Sequence, residues 1–247
     1  MRDDLLDAQA CVDWTVAQLP AFAERIETWL GENVEAGIEK TEPPITHSPD
    51  NSGHERPSPA RVQCRGRGLY QHHPKQPDIL AMALVLRDGV GKPDEAYFPV
   101  LRSAAEFDAG RSKGSKFVKR LPERERAIIE ALKPYQGGND PLFALHQLDI
   151  MRKHRRLLAV RVEPAFTISD TTGRGLRIQD FVLYGVATLS PNEKSVLGFI
   201  SNRAPGYNIE FAPKIALDES FPAVPPEIIG ALRQFANLAD AIIKLFD

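Results

Sequence analysis

The chain is 247 residues long (27.4 kDa), 43% apolar and 26% charged, with 31 basic against 33 acidic side chains and a net charge of −2. Those figures allow a well-buried core and exclude wholesale disorder, collagen-like and fibrous repeats. They also exclude a whole-protein field steering the chain to nucleic acid or an anionic membrane, and Cys11 and Cys64 alone write neither a disulfide framework nor a structural zinc site.

Residues 3–30 read as one long helix, because Leu5, Val12, Val16, Leu19, Ala23, Ile26 and Leu30 recur at spacings of three, four and seven. Pro20 removes one ladder bond inside that pattern, so a kink or two consecutive helices is expected there. Asp3, Asp4 and Asp7 stand where a signal peptide carries basic residues, and no apolar run reaches the roughly 18 residues of a membrane span. A cytoplasmic protein without a membrane partner is the expectation.

Residues 43–77 hold seven prolines, four of the six histidines and only six residues of the apolar set, too few for a core. One reading is a linker between an N-terminal helical segment (1–42) and an α+β domain (78–247). The other is a segment out of frame: with permissive codons, residues 62–77 read one nucleotide later spell a helix-like string ending Arg-Ser-Ser-Leu before Asp78.

Regular patterning resumes with Leu80, Ala81, Leu84 and Val85 in a helix that Asp78 is placed to cap. Tyr97-Phe98-Pro99-Val100 reads as a buried anchor, followed by a short helix over residues 102–108. A basic stretch comes next, with Arg111, Lys113, Lys116, Lys119, Arg120, Arg124 and Arg126 interrupted by two glutamates. Pro122 suits the first turn of a helix carrying Ile128, Ile129 and Leu132. Asp140, as N-cap, and Pro141 open another that runs to about position 156. Period-two alternation at Leu158, Val160 and Val162, and at Leu176 and Ile178, marks strands, with further candidates at 181–189, 195–202, 207–212 and 214–217. With no helical crossover among them, antiparallel hairpins are expected. After Pro225-Pro226, the stripe Ile228, Leu232, Phe235, Ala239, Ile242 and Phe246 repeats every seven residues. A core helix is the first reading and a homo-oligomer seam through the terminal helices the second, since Ile229, Leu238, Ile243 and Leu245 widen the stripe beyond a narrow seam.

On the helix opened by Asp140, positions His146, Asp149 and Lys153 fall within about 60° of one another, near Leu142 and Ile150. Charged groups turned inward need partners, so a structural polar knot of His146, Asp149, Lys153 and His154 is the first expectation. The catalytic alternative makes His146 or His154 a general acid/base oriented by Asp149, with Lys153 or Arg155 stabilising an anion, a set suited to phosphodiester cleavage. Lys116, Lys119 and Arg120, with Arg155, are the candidate phosphate contacts, although a charge run is more often a solvated face. No metal set and no cofactor are implied.

Phe98-Pro99, Ala131-Leu132-Lys133-Pro134-Tyr135 followed by Gly137-Gly138-Asn139-Asp140, and Leu145-His146-Gln147-Leu148-Asp149 with Lys153-His154-Arg155 are the residues through which the chain resembles a loosely defined family of uncharacterised bacterial and phage-associated proteins. The similarity covers residues 78–158, and the strand region more loosely. It implies helices followed by a late β-sheet and brings no activity with it. Members carry Arg-Ser-x-Leu-Asp-His-Leu where this chain has Asp78-Ile79-Leu80, a string similar to the arginine, four residues, histidine motif of HEPN-type ribonucleases. Ile79 replaces that histidine, and the arginine side falls in the proline-rich segment.

The expected fold is therefore α+β: a long N-terminal helix and a central helical group packed on an antiparallel β-sheet, with a C-terminal amphipathic helix. The expected function is non-catalytic, regulatory or ligand-binding. A HEPN-like metal-independent ribonuclease or RNA-binding protein is the alternative.

Overall fold

The computed structural model describes residues 2–34, 76–89, 96–154, 160–171, 181–183, 197–200, 207–218 and 220–247. Most of the proline-rich segment, the strand candidate at Leu176 and Ile178, and Arg155 lie outside them. The protein is α+β, with helices α1 (Leu6–Asn33), α2 (Gln76–Asp88), α3 (Ala104–Ala109), α4 (Lys113–Val118), α5 (Glu123–Leu132), α6 (Asp140–His154) and α7 (Ile228–Leu245). The strands are β1 (Val160–Glu163), β2 (Phe166–Asp170), β3 (Phe181–Leu183), β4 (Gly198–Ile200), β5 (Tyr207–Phe211) and β6 (Lys214–Leu217). Two compact units divide the chain. The described residues of one are 2–24, 76–89, 96–154, 217–218 and 220–247; those of the other are 25–34 and most of the strand region to 216.

The core of the helical unit is built by helices and the segment between α2 and α3. Its centre is α2, whose Ile79, Leu80, Ala81, Ala83, Leu84 and Val85 are all buried. A helix apolar around most of its circumference is stable only when neighbours cover several faces. Leu5, just before α1, and Ala8 and Val12 of α1 contribute to the same core, as do Phe117 and Val118 of α4 and Ile129 of α5. Leu142 of α6 and Ala236, Ala239, Ile242, Ile243 and Phe246 at the end of α7 complete it. Most of the seven-residue stripe of α7 is thus spent inside the chain. Glu227 caps α7, its two carboxylate oxygens accepting from Ile229 N and Gly230 N at 2.8 and 2.7 Å. Burying Phe246 to 1% exposure anchors the last turn; truncating such a side chain costs about 3–5 kcal/mol.

α1 runs through Pro20 as one 28-residue helix. Proline deprives the Val16 carbonyl of its ladder donor, and Val16 lies at the surface, where water can serve that oxygen. The anchor segment behaves in two ways: Phe98, Pro99 and Val100 are buried, whereas Tyr97 is exposed. Asp78 lies inside α2 instead of capping it, and its Oδ1 accepts from Phe98 N at 3.3 Å, tying the anchor to the helix. Gly114 of α4 packs so closely on Pro99 that a methyl group there would stand 2.7 Å from the Pro99 Cα. The basic stretch therefore begins with a short helix, α4, capped by Ser112, whose hydroxyl accepts from Ser115 N.

In the second unit the strands pair in nested fashion: β1 beside β6, β2 antiparallel to β5, and β3 antiparallel to β4. Phe166 opposes Phe211 and Ile168 opposes Ile209, while Thr167 and Ser169 are exposed, the one-face-wet alternation of an antiparallel pair. The first two pairings are separated at Pro164 and Pro213, residues without an N–H to give the ladder, and the Ala212 N to Ala165 O bond at 2.8 Å carries the chain across the gap. β2 is a strand that the sequence reading passed over, although Phe166 and Ile168 alternate with Thr167 and Ser169.

Candidate ligand cleft beside helix α6

Helix α6 is positioned by its first turn. Asn139 acts as the cap, its Oδ1 accepting from Leu142 N at 3.2 Å and its carbonyl from Phe143 N at 2.9 Å. Asp140 is the first helical residue, and its Oδ1 accepts from Gly137 N at 2.7 Å. The capping role expected at Asp140 thus belongs to its neighbour, because the Gly137-Gly138 turn brings an amide within reach of the Asp140 carboxylate. Gly138 is required there: a Cβ would stand 2.5 Å from the Lys133 carbonyl oxygen.

Leu142 and Leu148 are buried, and Leu142 and Leu145 also line a core void of about 10 Å3 with residues of α2 and α7. This is the inward face of α6. A different face, about 80° wide, carries Asp140, Phe143, Gln147 and Met151 at steps of three and four. These residues form one wall of a cleft of about 290 Å3. Gln136 and Ser220 supply further polar groups, and Phe221 and Pro222 close it from the loop before α7. Phe143, Gln147, Met151 and Phe221 are half-buried, so the site is concave and open to solvent.

The residues singled out from sequence are distributed as follows. His146 and Asp149 are half-buried, both hold interactions with other groups, and Asp149 Oδ2 is sealed from solvent. They lie on α6 about 100° and 160° around the helix from the middle of the cleft stripe. Lys153 and His154 fall in the last turn of α6. Lys116, Lys119 and Arg120 are exposed on and after α4. Among the described residues no group of three or more His, Cys, Asp or Glu is arranged to hold a metal ion.

A polar knot absent from the sequence expectations joins α2 and α5. Arg87, at the end of α2, is nearly buried and donates from Nε to Asp88 Oδ1 at 2.9 Å; its Nη2 reaches Glu125 Oε1 of α5 at 2.7 Å. Asp4 Oδ2 stands 3.8 Å from Arg87 Nη1, and both atoms are sealed from solvent without a hydrogen bond. Burial opposes the charge on Arg87, but the hydrogen bond to Asp88 and the charges of Asp88, Glu125 and Asp4 outweigh it and hold the guanidinium above its ordinary pKa. Every partner of Arg87 among the described residues is a carboxylate, and this group joins α2 and α5. The signals missed were the adjacent Arg87-Asp88 pair and the buried Glu125 inside a stretch that otherwise reads as a basic surface.

The cleft residues were legible only in part. Phe143, Gln147 and Met151 have helical spacing, but nothing in sequence brings residues 220–222 to them. No known protein family, no curated protein and no solved structure matches the chain.

Proposed function

We propose that this chain is a non-catalytic protein of the cytoplasm that binds a small organic molecule in the cleft between α6 and residues 220–222. The observation that carries this reading is the cleft itself. Its volume of about 290 Å3 is just under the roughly 300–1,000 Å3 usual for ligand sites, and aromatic and thioether surface alternates in it with a few polar groups. The turn that presents Asp140 is fixed by its bond to Gly137 N, so part of the polar lining is organised before a ligand arrives. No helix among the described residues is long and apolar enough to cross a membrane, which is consistent with this reading.

A second reading, a HEPN-like ribonuclease or RNA-binding protein, draws on one observation. Lys116, Lys119 and Arg120 are all exposed, in a run from 111 to 122 that contains no acid. Both readings are tested on the purified full chain. Ligand binding predicts that a small-molecule library screened by thermal shift yields compounds whose stabilisation disappears in Phe221→Ala. The nuclease reading predicts RNA degradation that is lost in His154→Ala with the melting temperature retained. RNA degradation of that kind, with no stabilising compound, overturns the first reading.

A further inference from the structure

We propose that the cleft selects small organic cations, an amine, amidine or protonated nitrogen heterocycle carried on a flat apolar body. This inference rests on the ligand-binding reading above and names the class of its ligand. Among the described residues that line the cleft none is basic, and one, Asp140, is a carboxylate. An anion entering the cleft meets the negative charge of Asp140, with no cation among the described lining residues to answer it, whereas a cation gains that charge at short range.

A helix N-terminus ordinarily favours anions, but here two of its donors are taken and a third is missing. Leu142 N is taken by Asn139 Oδ1 and Phe143 N by the Asn139 carbonyl, while position 141 is proline and has no N–H. The partial positive charge of the terminus is about half an elementary charge, less than the full charge of Asp140 beside it. The apolar lining points the same way. Phe143 and Phe221 offer aromatic faces, which attract cations as well as flat apolar groups, and Met151 is a polarizable neighbour. Gln136 and Gln147 supply amide oxygens for N–H donors of the ligand.

The test uses three probes of one shape and different charge: benzamidine (positive), benzamide (neutral) and benzoate (negative). Binding to the full chain is measured by ligand-observed NMR and calorimetry at low salt. The expected order is benzamidine, benzamide, benzoate, with about tenfold or more in Kd between the first and last. Asp140→Asn keeps an oxygen to accept from Gly137 N and removes the charge, so benzamidine should fall to the level of benzamide. Gln147→Glu adds a carboxylate to the same stripe and should tighten benzamidine while weakening benzoate, which keeps the proposal exposed if Asp140→Asn misfolds. Phe221→Ala should weaken all three probes. Benzoate binding as well as benzamidine, with both sensitive to Phe221→Ala, overturns the cation class and leaves the cleft a ligand site. Binding of no probe, or binding indifferent to Phe221→Ala, overturns the cleft reading as well.

Discussion

Removing the carboxylate of Glu125 is the sharpest test of what holds the helical unit together. Its side chain and that of Arg87 are only 9% and 10% exposed, and their charges meet as an ion pair at 2.7 Å. Glu125→Gln keeps an oxygen acceptor and loses the charge. Losing one of the three carboxylate charges around Arg87, with the side-chain volume kept, puts the cost at about 1–2 kcal/mol. Glu125→Ala removes the acceptor as well. Breaking a buried pair from one side costs about 3–5 kcal/mol when the other charge is left alone. Arg87 still has Asp88 at 2.9 Å and Asp4 at 3.8 Å, so about 3 kcal/mol is expected. At roughly 2–4 °C per kcal/mol for a chain of this size, Tm should fall by about 6–12 °C in thermal melts followed by circular dichroism. Asp4→Asn is the internal control: its contact is long and unbonded, so less than about 1 kcal/mol is expected. An apolar pair, Arg87→Met with Glu125→Leu, should recover most of the loss, because neither charge then remains to be desolvated. If Glu125→Ala and Asp4→Asn lower Tm equally, the Arg87–Glu125 pair is not the link between α2 and α5.

Further expectations concern individual positions. Gly114→Ala places a methyl group 2.7 Å from the backbone of buried Pro99 and should cost about 1–3 kcal/mol by chemical denaturation, whereas Gly31→Ala, in open space within α1, should stabilise by about 0.5–1 kcal/mol. Asp240 accepts from Lys244 Nζ at 2.7 Å and from Gln9 Nε2 of α1 at 3.0 Å, and chiefly the bond from Lys244 lowers its pKa. A depressed folded-state pKa means its stabilisation is present above the unfolded value of about 4 and is lost as pH falls through the folded one. The Tm difference between wild type and Asp240→Asn should therefore shrink below about pH 4; a difference that grows there contradicts the assignment. Burial, and then the charge of Asp7, push the Cys11 thiol above its ordinary pKa. In a Cys64→Ser background it should react with iodoacetamide at neutral pH more slowly than free cysteine and at the free rate in urea.

Two elements mark where sequence reading succeeds and where it stops. The stripe of α7 could be read because a helix repeats its facing every 3.6 residues whatever it packs on. Periodicity could not say whether that stripe met another copy or the chain's own α1 and α2. Ile242, Ile243 and Phe246, buried in the same core as Leu5 and Leu84, decide it for the core. At the start of α6 the sequence offered two adjacent capping residues, and the fold of the Gly137-Gly138 turn chose Asn139 for the cap and bound Asp140 to Gly137.

What sequence alone determined was therefore local: where most helices and strands lie, which face of each is apolar, and an α+β class, all set by side-chain spacing and backbone preference within a few turns. Only tertiary structure decided that Arg87 would meet Glu125 and Asp4, and that Phe221 would close a cleft against Phe143 and Met151. Those groups lie tens of residues apart, and their meeting depends on how several helices pack together, a property that no short window of the chain contains.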